Sequence, residues 1–205
     1  MIGFWKGKAP LVLASKSAAR HALLAAARIP FETIASVIDE RMIEAPLLAK
    51  GAPALEIAAH LAAAKAHSVS LLRSDRLVLG ADQTLSFNNK IFSKPATVAE
   101  ARAQLIGFSG RTHELHSALC VMREGVKLFE TVVTARLTCR TYTRTFVERY
   151  IEAAGDDVLA SVGAYQLEGL GVHLFEKIEG DHATILGLPL LPLLAFLRSE
   201  GSLVR

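Results

Sequence analysis

Cysteine is scarce in this chain: two in 205 residues, Cys120 and Cys139, too few for a disulfide framework and not at metal-ligand spacing. A reducing compartment is therefore the expectation. Aromatic residues make up only 6%, and no block of five or six basic residues occurs, so neither a stacking platform nor a basic arm for nucleic acid is present. Charge of one sign is missing too, with 23 Lys and Arg against 20 Asp and Glu, a formal net of +3. That balance leaves room for a small polyanion, which needs only a few well-placed cations. The chain lacks a P-loop and a G-x-G-x-x-G turn, the commonest phosphate cradles of small α/β proteins. The seven histidines show no ligand spacing; His113 and His116, an odd number apart, cannot share one face of a strand.

Long apolar runs are absent as well. Ile185 to Leu197 comes nearest, but Gly187, Pro189 and Pro192 interrupt it and Arg198 and Glu200 close it, so it reads as a core turn and helix. Leu11 to Ala14 is too short for a signal peptide. A soluble, cytoplasmic protein without membrane or nucleic-acid partners is expected. An apolar fraction of 51% is that of a core-forming chain, either one generous domain or two small lobes sharing a core.

The periodicities interleave strands and helices. Leu11–Ala14 reads as a strand, 18–28 as a helix leaving at Pro30, and Phe31–Val37 as a second strand. Pro46 and Gly51-Ala52-Pro53 mark a loop, and Ala54–Leu72 a helix whose apolar stripe includes Lys65. Arg76–Ala81 reads as a buried strand ending at Asp82, followed by a hairpin turned on Asn88-Asn89. A helix capped by Thr97 comes next, with Glu100 at capping-box spacing. Strands at about 113–122 and 128–140, a helix over 143–153, a strand over Val172–Ile178 and a closing helix over Leu190–Leu197 complete the chain. The class is α/β or α+β with a mixed sheet.

Several of these positions suit chemistry. Ser15-Lys16-Ser17 lies at a strand-to-helix turn, where free backbone N–H groups and the helix dipole favour an anion, and Arg20 is one turn in; a plain serine cap with a solvated arginine is the other reading. Asp82 at a strand end holds a cation or orients water, or else caps the next turn. Lys65, a cation in an apolar stripe, needs a counter-charge unless it snorkels to solvent. Lys94 is fixed in extended backbone by Pro95, and Asp39-Glu40 follow a strand, where acids bind metal or stay solvated.

These pieces, in this order, resemble one family. Leu13-Ala14-Ser15-Lys16-Ser17 with Arg20 and Leu23-Leu24, then Val37-Ile38-Asp39-Glu40, Ala64-Lys65-Ala66, Gly80-Ala81-Asp82 and Ser93-Lys94-Pro95 are similar to the motifs of the Maf-like nucleoside triphosphate pyrophosphatases. Ser109-Gly110-Arg111-Thr112-His113, Glu168-Gly169-Leu170-Gly171 and Gly187-Leu188-Pro189-Leu190 continue the series, so the resemblance covers about residues 11–198 of a single domain spanning 1–205. It implies a mixed sheet flanked by helices, two lobes with a substrate cleft, and hydrolysis of a nucleoside triphosphate to the monophosphate and pyrophosphate with Mg²⁺ or Mn²⁺. Carried over, Asp82, Lys94, Lys65 and Glu40 are catalytic; Ser15, Arg20, Gln83 and Glu168 bind substrate; Asp82 and Glu40 hold the metal. A homodimer is allowed. The other reading is a nucleotide-binding regulator of cell division with little catalysis.

Three departures bear on the substrate. Ala18-Ala19-Arg20 stands where the family more often has Pro-Arg-Arg, Gln83 where many members have Thr, and Glu168 where the branch preferring UTP and dTTP has Gln. A carboxylate accepts only, which suits the N–H donors of a guanine edge, so the chain looks more like the branch acting on 7-methyl-GTP. Ala19 supplies none of the aromatic stacking that this branch has beside its arginine.

Overall fold

The computed structural model describes residues 3–205. Seven strands pair in the order β2 (Phe31–Thr33), β1 (Leu11–Leu13), β3 (Val78–Phe87), β5 (Thr112–Arg123), β6 (Val126–Cys139), β7 (Phe175–Glu179), with β4 (Lys90–Phe92) also on β3. The sheet is mixed: β1 runs parallel to β2 and β3, whereas β4 on β3 and β7 on β6 are antiparallel. Among the described residues no helix is long and apolar enough to cross a membrane.

The chain forms two compact units. Among the described residues the first comprises 3–83, 117–133 and 187–205 and carries α1 (Ala18–Ala26), α2 (Glu40–Ala49), α3 (Ala54–Ser70) and α8 (Leu190–Ser199). Its main core joins Leu11, Leu13, Leu24, Leu79, Leu119, Leu193 and Leu197; a second layer of Ala58, Ala62, Ala66, Ala118 and Cys120 packs α3 down. Small side chains are what allow that approach, and Gly80 is the limiting case. A Cβ there would collide with the backbone of Ala62 and Ala66.

The second unit, 84–116 and 134–186, holds β4, α4 (Val98–Phe108), α5 (Arg144–Ala154), α6 (Asp157–Ala160), a 3₁₀ turn over Leu170–Leu174, β7 and α7 (His182–Ile185). Its core gathers Leu85, Phe87, Leu105, Phe108, Leu115, Leu137, Val147, Tyr150 and Tyr165. The hairpin on Asn88-Asn89 is as expected: both residues have positive φ (51° and 60°), and Phe87 pairs with Lys90. Thr97 caps α4, accepting from Glu100 N. Ser109-Gly110-Arg111-Thr112-His113 is the corner between α4 and β5. Ser109 Oγ both donates to Tyr142 O and accepts from Tyr142 N, and Gly110 takes φ +67°. His113 is buried against Phe108 and bonds Tyr165 Oη through Nε2.

Four expectations need correction. Pro46 does not mark a loop but lies inside α2, because Asp39 caps the helix by accepting from Arg41 N and Met42 N and the proline forfeits only one intrahelical bond. β2 stops at Thr33, and Val37, almost fully exposed, belongs to the connection that follows. Asp82 does not end a strand; β3 continues through it to Phe87, since its first residues pair with β1 and its last with β4. Residues 170–174 form a 3₁₀ turn before β7, because Gly169 and Gly171 fold back on the Gln166 carbonyl.

Candidate functional site

Asp82 owes its surroundings to strand periodicity. Gly80 faces α3, so two residues on Asp82 faces α3 as well. On that helix Lys65 follows Leu61 by one turn in the buried stripe, next to Ala62 and Ala66. The two side chains meet: Lys65 Nζ donates to Asp82 Oδ1 at 2.5 Å, with each residue only 8% exposed. Glu40, the first residue of α2, closes on the same ammonium at 2.8 Å while half its side chain stays in solvent. The snorkelling reading of Lys65 is thus set aside; its counter-charges are Asp82 and Glu40.

Asp82 lies just past the carboxyl end of β1, which pairs with Val78 and Leu79 and then gives way to Ser15. Ser15 is buried, and its Oγ accepts from Ser17 N at 3.2 Å and Arg20 Nη1 at 3.1 Å. Ser17 caps α1, accepting from Arg20 N. Arg20 is not a solvated arginine. It is buried, and donates from Nη1 to Ala81 O and from Nε to Gly187 O, both at 2.8 Å. Burial pulls its pKa below the usual arginine value, against the opposing charges of Asp82 and Glu40. Burial likewise pushes the Asp82 carboxyl upward, opposed by Lys65 and Arg20. Gln83, next on β3, donates from Nε2 to Ser117 Oγ at 2.8 Å.

Ser15, Arg20, Glu40, Lys65, Asp82 and Gln83 all belong to the first unit, where Lys65 gathers the two acids and Arg20 ties Ser15 to β3. Lys94 and Glu168 belong to the second unit. Lys94 is exposed between β4 and α4, beside the buried Pro95, and Glu168 is exposed in the turn before the 3₁₀ segment. Sequence reasoning passed over Glu44. It stands four residues after Glu40 on α2, half-buried, and burial followed by the charges of Asp82 and Glu40 raises its pKa. The i, i+4 acid pair was in the sequence, but Pro46 hid the helix that makes the spacing meaningful.

No group of three or more His, Cys, Asp or Glu with metal-binding placement occurs among the described residues. The Asp82 and Glu40 oxygens nevertheless already converge on one cation, the Lys65 ammonium. Two hard carboxylates fit Mg²⁺ or Mn²⁺, which takes one or two protein carboxylates and completes its shell from phosphate and water.

The fold and this cluster define an α/β protein with a buried lysine–carboxylate centre and a buried arginine just beyond a parallel strand end. A family profile described as Maf-like protein matches residues 10–200. The chain belongs to the Maf family. It is 52% identical over 201 residues to a nucleoside triphosphate pyrophosphatase of Nitrobacter winogradskyi, covering 97% of this chain and 98% of that one. A protein of the same name from Rhodopseudomonas palustris is 55% identical over 199 residues, again 97% and 98%. A 7-methyl-GTP pyrophosphatase of Brucella suis is 52% identical over 190 residues, 93% of this chain and 96% of its own.

Proposed function

We propose that this protein hydrolyses the α,β-phosphoanhydride of a nucleoside triphosphate, releasing the monophosphate and pyrophosphate, and that it prefers a guanine-type base. The observation that carries the reading is the buried ammonium of Lys65 shared by Asp82 and Glu40, in a chain more than half identical to proteins named for this activity. Glu168, an acceptor-only side chain, and the relative named for 7-methyl-GTP support the base preference.

In this reading Asp82 is the base. Burial raises its affinity for a proton, which suits it to take one from the attacking water as the new bond to the α-phosphorus forms. The bond from that phosphorus to the bridging oxygen breaks, and pyrophosphate leaves with the electron pair. Lys65 keeps Asp82 ionised and aligned, and its ammonium then offsets charge on the phosphates together with Lys94. Arg20 is held rigid on three acceptors, so Ser15 and the turn N–H groups are preorganised for the anion. Asp82 and Glu40 would hold Mg²⁺ or Mn²⁺, whose bound charge supplies Lewis-acid stabilisation of the phosphoryl oxygens. Work in the cytoplasm and a homodimeric state belong to the same proposal; a solution-scattering mass decides the latter.

The test is pyrophosphate release from 7-methyl-GTP, GTP, UTP and dTTP with Mg²⁺ and Mn²⁺, for the wild type and Asp82→Asn. The variant is expected to keep its fold and lose about a hundredfold or more in rate. Wild-type turnover by Asp82→Asn sinks the assignment of the base, and preference for UTP and dTTP sinks the guanine reading.

A further inference from the structure

His21 takes no part in the steps above, yet it grips the turn on which they depend. Arg20 and His21 are neighbours on α1, so their side chains leave the helix about 100° apart. Both return to the same residue. Arg20 Nη1 donates to Ser15 Oγ at 3.1 Å, and His21 Nε2 lies 3.1 Å from the Ser15 carbonyl oxygen. A carbonyl oxygen only accepts, so Nε2 is the ring nitrogen that carries the hydrogen. Thr33 Oγ1, at the exposed end of β2, stands 3.2 Å from the same nitrogen and takes a share of that N–H. Phe31 meets the imidazole edge-on, with centroids 5.4 Å apart and planes at 73°, which fixes the direction of the ring. The bond to His21 also orients the peptide that follows. A trans peptide turns its C=O and its N–H to opposite sides, so holding the Ser15 oxygen toward His21 turns the Lys16 N–H away from it. Among the described residues that N–H has no acceptor, whereas the Ser17 N–H is spent on Ser15 Oγ.

We propose that His21 is a positioning residue for the polyphosphate: by holding the Ser15 carbonyl it keeps the free Lys16 N–H, beside the Ser15 hydroxyl, ready to donate to a phosphate oxygen. Arg20 fixes the side chain of Ser15 and His21 fixes its backbone, so the turn has little to reorganise when the anion arrives. The inference rests on the pyrophosphatase reading and adds to it the side chain that sets a backbone donor of the Ser15 turn.

The test replaces His21 in three ways. Gln carries an amide N–H at the reach of Nε2, Asn carries one only at the reach of Nδ1, and Leu carries none. Inorganic tripolyphosphate in Mg²⁺ is titrated calorimetrically into each protein. Pyrophosphate release is followed with whichever of 7-methyl-GTP, GTP, UTP and dTTP the wild type turns over fastest. His21→Leu and His21→Asn are expected to bind tripolyphosphate about three- to tenfold more weakly and to raise KM by the same factor, with kcat within about twofold. His21→Gln is expected to stay within about twofold of wild type. The Gln and Asn pair decides the question even where the Leu variant folds poorly. Thr33→Val, which removes the other acceptor and leaves the Ser15 bond in place, is expected to bind as wild type. Unchanged binding by His21→Leu, a loss confined to kcat, a His21→Gln variant as weak as His21→Asn, or a Thr33→Val variant that weakens equally overturns the proposal. A wild type that binds no tripolyphosphate overturns it too. Pyrophosphate release by the wild type is read separately: release with no His21 effect fails this inference alone, and binding without release fails the reading beneath it.

Discussion

Replacing Lys65 by Met removes the cation that two carboxylates share while keeping the volume of the stem, and the structure sets how large the effect is. Asp82, 8% exposed and 2.5 Å from the ammonium, is left as a buried carboxylate without its main counter-charge. Breaking a buried pair this way costs about 3–5 kcal/mol. Glu40 is half in water, so losing its share of the ammonium adds at most about 1 kcal/mol. Arg20 still acts on Asp82, and Asp82 relieves the rest by taking a proton, so about 3 kcal/mol is expected at pH 8. For a chain of this size that lowers Tm by about 6–12 °C. The sign of the pH dependence follows from Asp82. Its folded pKa lies above the unfolded value, so its contribution is fully present below the unfolded pKa and is lost as pH rises through the folded one. Without Lys65 the folded value moves further up. The variant is then penalised most at alkaline pH, and the gap to wild type narrows toward pH 5. Urea unfolding of both proteins at pH 8 and pH 5 measures it, with equal slopes expected for the two. A destabilisation that is the same at both pH values, or below about 0.5 kcal/mol at pH 8, refutes the claim that Lys65 is the counter-charge of a buried Asp82.

Three further outcomes are expected. Gly80→Ala pushes a methyl group into the α3 backbone at Ala62 and Ala66, so it costs about 2 kcal/mol or more by thermal melting and lowers pyrophosphate release by displacing Lys65. His113, pushed down to about 4 by burial from an ordinary 6.5, gives stability that is complete above 6.5 and is lost as pH falls through 4, about 3 kcal/mol in all. His113→Phe should flatten stability between those pH values, and an unchanged acid slope counts against a buried neutral imidazole. Glu168→Gln exchanges an acceptor-only edge for one that also donates, so the kcat/KM ratio of 7-methyl-GTP to UTP should fall about tenfold or more; an unmoved ratio removes Glu168 from base recognition.

The sequence was most legible where one residue obeyed two rules at once. Lys65 broke an apolar helical stripe, and a buried cation demands an anion; that it is buried rather than snorkelling to solvent, and which acids answer it, was left to tertiary structure. The two asparagines of the β3–β4 turn were legible because few other residues accept positive φ in succession. Asp82 was found for an imperfect reason. Polarity was read as the end of a strand, whereas β3 runs on, and what the carboxylate stands beyond is the end of its neighbour β1. Local pattern cannot tell these apart, because a strand's length is set by its partners. α2 was lost to Pro46, since the proline penalty is local and visible while the Asp39 cap that outweighs it depends on backbone not yet placed.

Gly187-Leu188-Pro189-Leu190 had no chemistry of its own in the sequence, and the structure supplies one through Arg20. The Gly187 carbonyl accepts from Arg20 Nε, and the residue sits at φ +91° with the guanidinium so near that a Cβ would press on Nε and Nη2 at 3.3 Å. Arg20 therefore joins three segments far apart in sequence: the Ser15 turn, the β3 backbone at Ala81 beside Asp82, and the turn before α8. A single ammonium cannot serve three acceptors spread across a planar fork, so lysine is no substitute here. With Nε and Nη1 committed to the chain, Arg20 acts on its surroundings mainly through its charge and through the fixed position of Ser15. The arginine retained beside Ala19 is thus the one that the chain holds on three acceptors.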